Sequence, residues 1–140
     1  MVKNFYSPSS HKTTFLAYIE ALNTHKPQTS TLDLSNYMHS ELTVNNETYT
    51  LSEYETSLLK LMNAASDFHI SVQKLVVEGP TVATRFLVTC TPEKQYMGYP
   101  PNGKRIEYAE HVFYRFNGTK CCEISALIDI RAVKRQLGDK

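Results

Sequence analysis

The spacing of apolar residues changes period once along this chain, near His69, and divides it into a helical part and a strand part. Before the change, Phe15, Tyr18, Ile19 and Leu22 recur at helical spacing, with Ser9 or Ser10 as N-cap and Asn23 near the end. Pro27 then interrupts, and Ser30 with Asp33 three residues on predicts a short second helix through about Tyr37. Residues 41–45 read as a short strand. Leu51, Tyr54, Leu58, Leu61 or Met62, and Ala65 share the face of a further helix, with Ser52 and Glu55 as its capping box. Glu53 and Glu55 have a structural role there, as favourable charge at a helix N-terminus. After His69 the period is two. Strands are predicted over residues 69–77 and 82–91, joined at Glu78-Gly79-Pro80, and over 104–116 and 120–128. A last short helix covers 130–136, with Gly138 placed to end it.

Helices followed by long consecutive strands predict an α+β fold, a curved antiparallel sheet with helices on one face and a pocket at its open end. The expectation is a single domain over residues 1–140, with residues 1–9 a loose start. Composition narrows the function. Hydrophobic residues make up 41% and charged residues 21%, as in an ordinary soluble domain. A net charge of +1 without a basic tract argues against nucleic-acid binding. No apolar run is long enough for a membrane span and no N-terminal run resembles a signal peptide, so a cytoplasmic protein is expected. Cys90, Cys121 and Cys122 lack metal-ligand spacing and read as reduced thiols. Nine tyrosines and no tryptophan suit half-buried strands, or a pocket for an aromatic or polyoxygenated ligand.

The helix SEYETSLLKLMNAASDF runs into the strand HISVQKLVVEG, and TVATRFLVTC follows in step. After these come YMGYPPNGKRIEY, the turn from Asn117 to Lys120, Glu123, Asp129 and Gln136-Leu137-Gly138. In order and spacing this succession resembles the SnoaL-like polyketide cyclases, within the superfamily of nuclear transport factor two and ketosteroid isomerase. The resemblance implies a cone-shaped α+β barrel with a deep apolar pocket, a homodimer or larger assembly, and no metal or organic cofactor. It implies a small-molecule substrate derived from a polyketide or a terpenoid–polyketide, and closure or rearrangement of a ring by proton transfer. The chain departs from the family pattern at Ser125, where a tryptophan is common, and at Gly118, one position early. A non-catalytic binding or dimerisation module, and a dehydratase, are the other functions such a scaffold carries.

In these cyclases the aspartate matching Asp129 is the general acid–base of an intramolecular aldol closure. Asp129 ends an apolar run, which suits a raised pKa, but it also stands where a cap for the last helix is needed. Its partner depends on the Asn117 turn. A two-residue turn places Glu110 on the face of Asp129; a three-residue loop pairs Phe116 with Lys120 and sets His111 opposite Ser125, beside Asp129. The longer loop matches apolar residues with apolar ones on both sides, so His111, Ser125 and Asp129 form the expected site face, with Glu110 as the rival. Tyr18 and Tyr54 are candidates to line the pocket. Arg85, mid-strand between apolar neighbours, can hold an enolate or carboxylate, or take part in an ion pair.

Overall fold

The computed structural model describes residues 8–25 and 31–138. The switch to period two takes effect at the expected residue. Strands β3 (His69–Glu78), β4 (Thr81–Cys90), β5 (Ile106–Asn117) and β6 (Lys120–Ile128) are successive antiparallel neighbours. Two further strands, β1 (Met38–Val44) and β2 (Glu47–Thr50), complete a curved, open sheet in the order β2-β1-β6-β5-β4-β3, in which only the β1–β6 pair is parallel. Helices α1 (Pro8–Asn23) and α2 (Leu51–Asn63) complete the expected α+β architecture. Phe15, Tyr18, Ile19 and Leu22 of α1 are all buried. The Phe15 ring stacks 6.1 Å from Phe86 and lies 5.1 Å from Tyr114, fixing α1 to β4 and β5.

Several local expectations change. Residues 1–7 and 26–30, including Pro27 and Ser30, lie outside the described residues, and α1 is already helical at Pro8. Residues 31–37 form an extended segment and a turn, not a helix. Asp33 explains why: its carboxylate accepts from the Ser35 N–H (2.9 Å) and hydroxyl (2.7 Å), a local closure that competes with helical bonding. Strand β2 arises because Asn45 and Asn46 take positive φ (50° and 71°), making the tight turn that pairs Val44 with Glu47. The capping box is Thr50–Glu53, not Ser52–Glu55. Thr50 Oγ1 accepts from the Glu53 N–H (3.1 Å), and Glu53 Oε1 from the Thr50 N–H (2.8 Å). Glu55 is thereby free to accept from the Leu34 N–H (2.7 Å), tying the chain before β1 to α2. The last helix, α3, is α-helical over Ile130–Val133 and closes with a π-helical turn, Lys134–Gly138.

The β5–β6 hairpin has neither of the predicted registers. Asn117 pairs with Lys120 across a two-residue turn in which Gly118 supplies φ of 70°. A bulge then follows, so Phe116 pairs with Cys121 but Arg115 with Glu123. The bulge restores the parity of the three-residue alternative while sliding the partners. Apolar residues face apolar ones as expected, but His111 stands opposite Leu127, Ser125 opposite Phe113, and Glu110 opposite Ile128. The turns are tied together by buried His11, whose Nδ1 and Nε2 lie 3.3 and 3.2 Å from the carbonyls of Gly79 and Gly118. A neutral imidazole donates to one of these oxygens, a protonated one to both.

Candidate active site

The alternation of β5 places Tyr108, Glu110, Val112, Tyr114 and Phe116 on the concave face of the sheet. Val112, Phe116 and their neighbours fill the core, whereas Tyr108, Glu110 and Tyr114 border a cavity of about 340 Å³. Its sheet wall includes Phe86 and Val88 of β4 and Ile124, Ala126 and Ile128 of β6. Tyr18 and Leu22 of α1 and Tyr54, Leu58 and Leu61 of α2 cover it. Among the described residues Glu110 is the one carboxylate in this wall. Burial pushes its pKa from 4.5 up to about 7, because the apolar surroundings replace water that would solvate the anion. A carboxylate set within an apolar stripe, titrating near neutrality, can take and return a proton under physiological conditions.

Asn45, Ser57 and several tyrosine hydroxyls are the other polar groups of this region. Tyr18 and Tyr54 share a 2.9 Å hydrogen bond, and Tyr108 shares one of 2.6 Å with Tyr96. Burial raises the pKa of all four and of Tyr114, with the nearby Glu110 carboxylate adding to the shift of Tyr54, Tyr108 and Tyr114. The phenols therefore stay protonated. In each hydroxyl pair one O–H donates to the other oxygen; Tyr18 also bonds Tyr114 and Tyr96 also bonds Cys90, and the phenols that border the cavity are Tyr18, Tyr54, Tyr108 and Tyr114. Such neutral donors stabilise a developing enolate or alkoxide oxygen without bringing in another charge. The buried thiols are poorly suited to nucleophilic chemistry: burial pushes Cys90 up to about 11 and Cys121 up to about 12. Among the described residues, no three His, Cys, Asp or Glu side chains cluster closely enough to hold a metal ion.

The face expected to carry the site lies on the other side of the sheet. His111, Ser125 and Asp129 are all exposed. The Arg85 guanidinium donates from Nη1 to His111 Nε2 (2.8 Å) and from Nε to Gln73 Oε1 (3.0 Å). Asp129 is the N-cap of α3, its Oδ1 accepting from the Ala132 N–H at 3.2 Å. It borders a shallow depression with Arg85 and His111, and Ser125 lies outside that depression. Period two is the cause: Ile128 points into the cavity, and the chain turns into α3 at the next residue. Of the predicted site residues, Tyr18, Tyr54 and Glu110 come together around the cavity, while Arg85, His111 and Asp129 gather on the outer face. Tyr108 and Tyr114 were not predicted to belong to the site; sharing Glu110's parity on β5 was the signal for both.

The sequence profile of the SnoaL-like polyketide cyclases matches residues 12–137. The chain belongs to this family. A SnoaL-like polyketide cyclase from Agrobacterium tumefaciens is 30% identical and superimposes with a TM-score of 0.79, over 91% of this chain and 98% of the other. TsrD from Streptomyces laurentii shares the fold at 18% identity, with a TM-score of 0.82 over 94% and 97% of the two chains. AclR from Streptomyces galilaeus does so at 23% identity, with a TM-score of 0.77 over 94% and 98%. No curated protein matches the chain. As a member of the SnoaL-like polyketide cyclase family it has the family's cone-shaped α+β fold, and no helix among its described residues is long and apolar enough to cross a membrane.

Proposed function

We propose that this SnoaL-like protein closes or rearranges a ring in a polyketide- or terpenoid–polyketide-derived substrate, with Glu110 as general acid–base. The observation that carries the reading is a single carboxylate in an apolar cavity, held near neutral pKa by burial. The ionised carboxylate removes a proton from a carbon flanked by carbonyls. The C–H electron pair becomes an enolate, whose oxygen accepts hydrogen bonds from the phenols. The enolate carbon attacks a second carbonyl of the same molecule, and protonated Glu110 returns its proton to the new alkoxide. No redox equivalent is consumed, and the substrate's conjugation spreads the charge, so a placed carboxylate and a dry cavity suffice. The test is deuterium exchange from solvent into the activated carbon of a β-keto ester, above the buffer-catalysed rate. Exchange by the wild type and its loss in Glu110→Gln support the reading; equal exchange by the two proteins defeats it.

On this reading Asp129 caps α3 and takes no part in the chemistry. Asp129→Asn is expected to keep turnover within about threefold of wild type, and Asp129→Ala to lower stability by about 1 kcal/mol in urea titrations. A large loss of turnover in Asp129→Asn, with the fold intact, would return the chemistry to the outer face.

The functional form is proposed to be a homodimer or larger homo-oligomer joined through that outer face. Phe113 and Leu127 are 59% and 75% exposed there, and Val76 and Ile130 are also exposed, more apolar surface than isolated side chains on a monomer require. Phe113→Asp combined with Leu127→Asp is expected to shift the protein to a monomer in light scattering coupled to size exclusion. A wild type that is already monomeric would refute this assembly.

A further inference from the structure

The cavity is small for the work proposed. At about 340 Å³ it lies near the lower limit of about 300–1,000 Å³ for small-molecule sites. A substrate with more than a compact ring system must extend out of it. The opening leads to a groove of about 370 Å³ between α2 and the turn after Gln95, and Ser57, Leu61 and Met97 line both spaces. The outer groove adds Lys60, Gln95 and Gly98. Its lip is held firmly. Tyr96 and Tyr99 exchange backbone hydrogen bonds of 2.8 and 2.9 Å around Met97 and Gly98, both at positive φ (50° and 88°). The Tyr96 hydroxyl anchors the turn to Tyr108 at 2.6 Å, and Tyr99 packs so closely on Gly138 that a Cβ there would meet its ring at 2.8 Å. A non-glycine residue at positive φ is unfavourable, and here it carries the Met97 side chain to the boundary between the two spaces. Lys60 has no ion-pair partner among the described residues. Among the described residues it is the one cation lining either space, and the one carboxylate lies in the inner wall.

We infer that the outer groove is a second subsite, in which Lys60 receives an anionic tail of the substrate while the apolar body occupies the inner cavity. The charge arrangement gives polarity to binding: an anionic end is attracted by Lys60 and repelled by Glu110, so the reacting carbons enter first. The inference rests on the inner cavity being a substrate site. It is read by binding alone, so failure of Glu110 as the base would leave it standing.

The probes are 1-anilinonaphthalene-8-sulfonate and its uncharged counterpart N-phenyl-1-naphthylamine, which share one apolar body. In fluorescence titrations at low ionic strength, Lys60→Met is expected to weaken the sulfonate by up to about fivefold, the upper end of the range of a solvent-exposed ion pair. Lys60→Glu should weaken it further. The neutral probe should be unaffected by either change, and added sodium chloride should erase the wild type's advantage for the sulfonate. Ala126→Phe, or Ala126→Leu should the larger residue prevent folding, is expected to weaken both probes by filling the cavity. Equal response of the two probes to the Lys60 variants overturns the inference. Undiminished sulfonate binding in the Ala126 variant overturns it too, because groove and cavity would then not hold one molecule.

Discussion

Glu110→Gln is expected to lower turnover of the ring-forming reaction by about 10²–10⁴-fold, the range a positioned general acid–base contributes, equivalent to about 3–5 kcal/mol of transition-state stabilisation. Glutamine keeps the size of the side chain and its ability to hydrogen-bond, so the cavity retains its shape and only proton transfer is removed. The pH profile separates this effect from a packing defect. With a pKa of about 7, the wild-type base is about one part in a hundred ionised two units lower, so kcat/KM should rise about tenfold per pH unit and level off above neutrality. Residual activity of Glu110→Gln should show no such rise. Glu110→Asp retains the acid but withdraws it by one methylene, and a displacement of about 1 Å is expected to cost about 10²-fold. A Glu110→Gln enzyme within a fewfold of wild type would assign the proton transfer to another group.

The sequence pattern disclosed the strands more completely than the contacts between them. Period two recovers β6 at its observed ends and β3, β4 and β5 within one or two residues, because each strand has one face against the core. The Asp33 turn and the Thr50 cap could not be separated from their rivals by spacing alone: an Asp before a short polar run serves a helix start or a local turn equally well, and the difference lies in the N–H each side chain accepts from, Ser35 for Asp33 and Glu53 for Thr50. The hairpin was hardest. Its turn and its bulge each shift the pairing by one residue, and only their combined parity is reflected in the apolar pattern. Which face was buried could be read from that pattern; which face borders a cavity could not, and Asp129 and His111 offered more familiar chemistry than a glutamate in an apolar stripe. Glu110 was the local inconsistency, a charge where every neighbour of like parity is apolar or aromatic, and such inconsistencies concentrate at functional sites.

That inconsistency should be measurable as a penalty on folding. Below pH 4.5 Glu110 holds its proton in both the folded and the unfolded chain, and its burial carries no electrostatic penalty. Between 4.5 and about 7 the unfolded chain releases the proton while the folded chain keeps it, so the folded state binds more protons and stability falls as pH rises. Above about 7 both are ionised and the loss is complete, about 3 kcal/mol at most, and less to the extent that water enters through the mouth. Asp33 and Asp67 act in the opposite sense. Hydrogen bonds from Ser35 lower the pKa of Asp33; burial raises that of Asp67, but hydrogen bonds from Thr91 outweigh it. Their contributions are lost as pH falls through the acid range, and they are common to wild type and variant. In urea titrations at a series of pH values, Glu110→Gln should therefore gain on wild type steadily from pH 4.5 to 7 and hold a constant advantage above. Any fixed packing difference displaces that curve without changing its slope. A difference between the two proteins that does not vary with pH would mean that Glu110 is solvated in the folded chain, and would remove the physical basis for its role as a base at neutral pH.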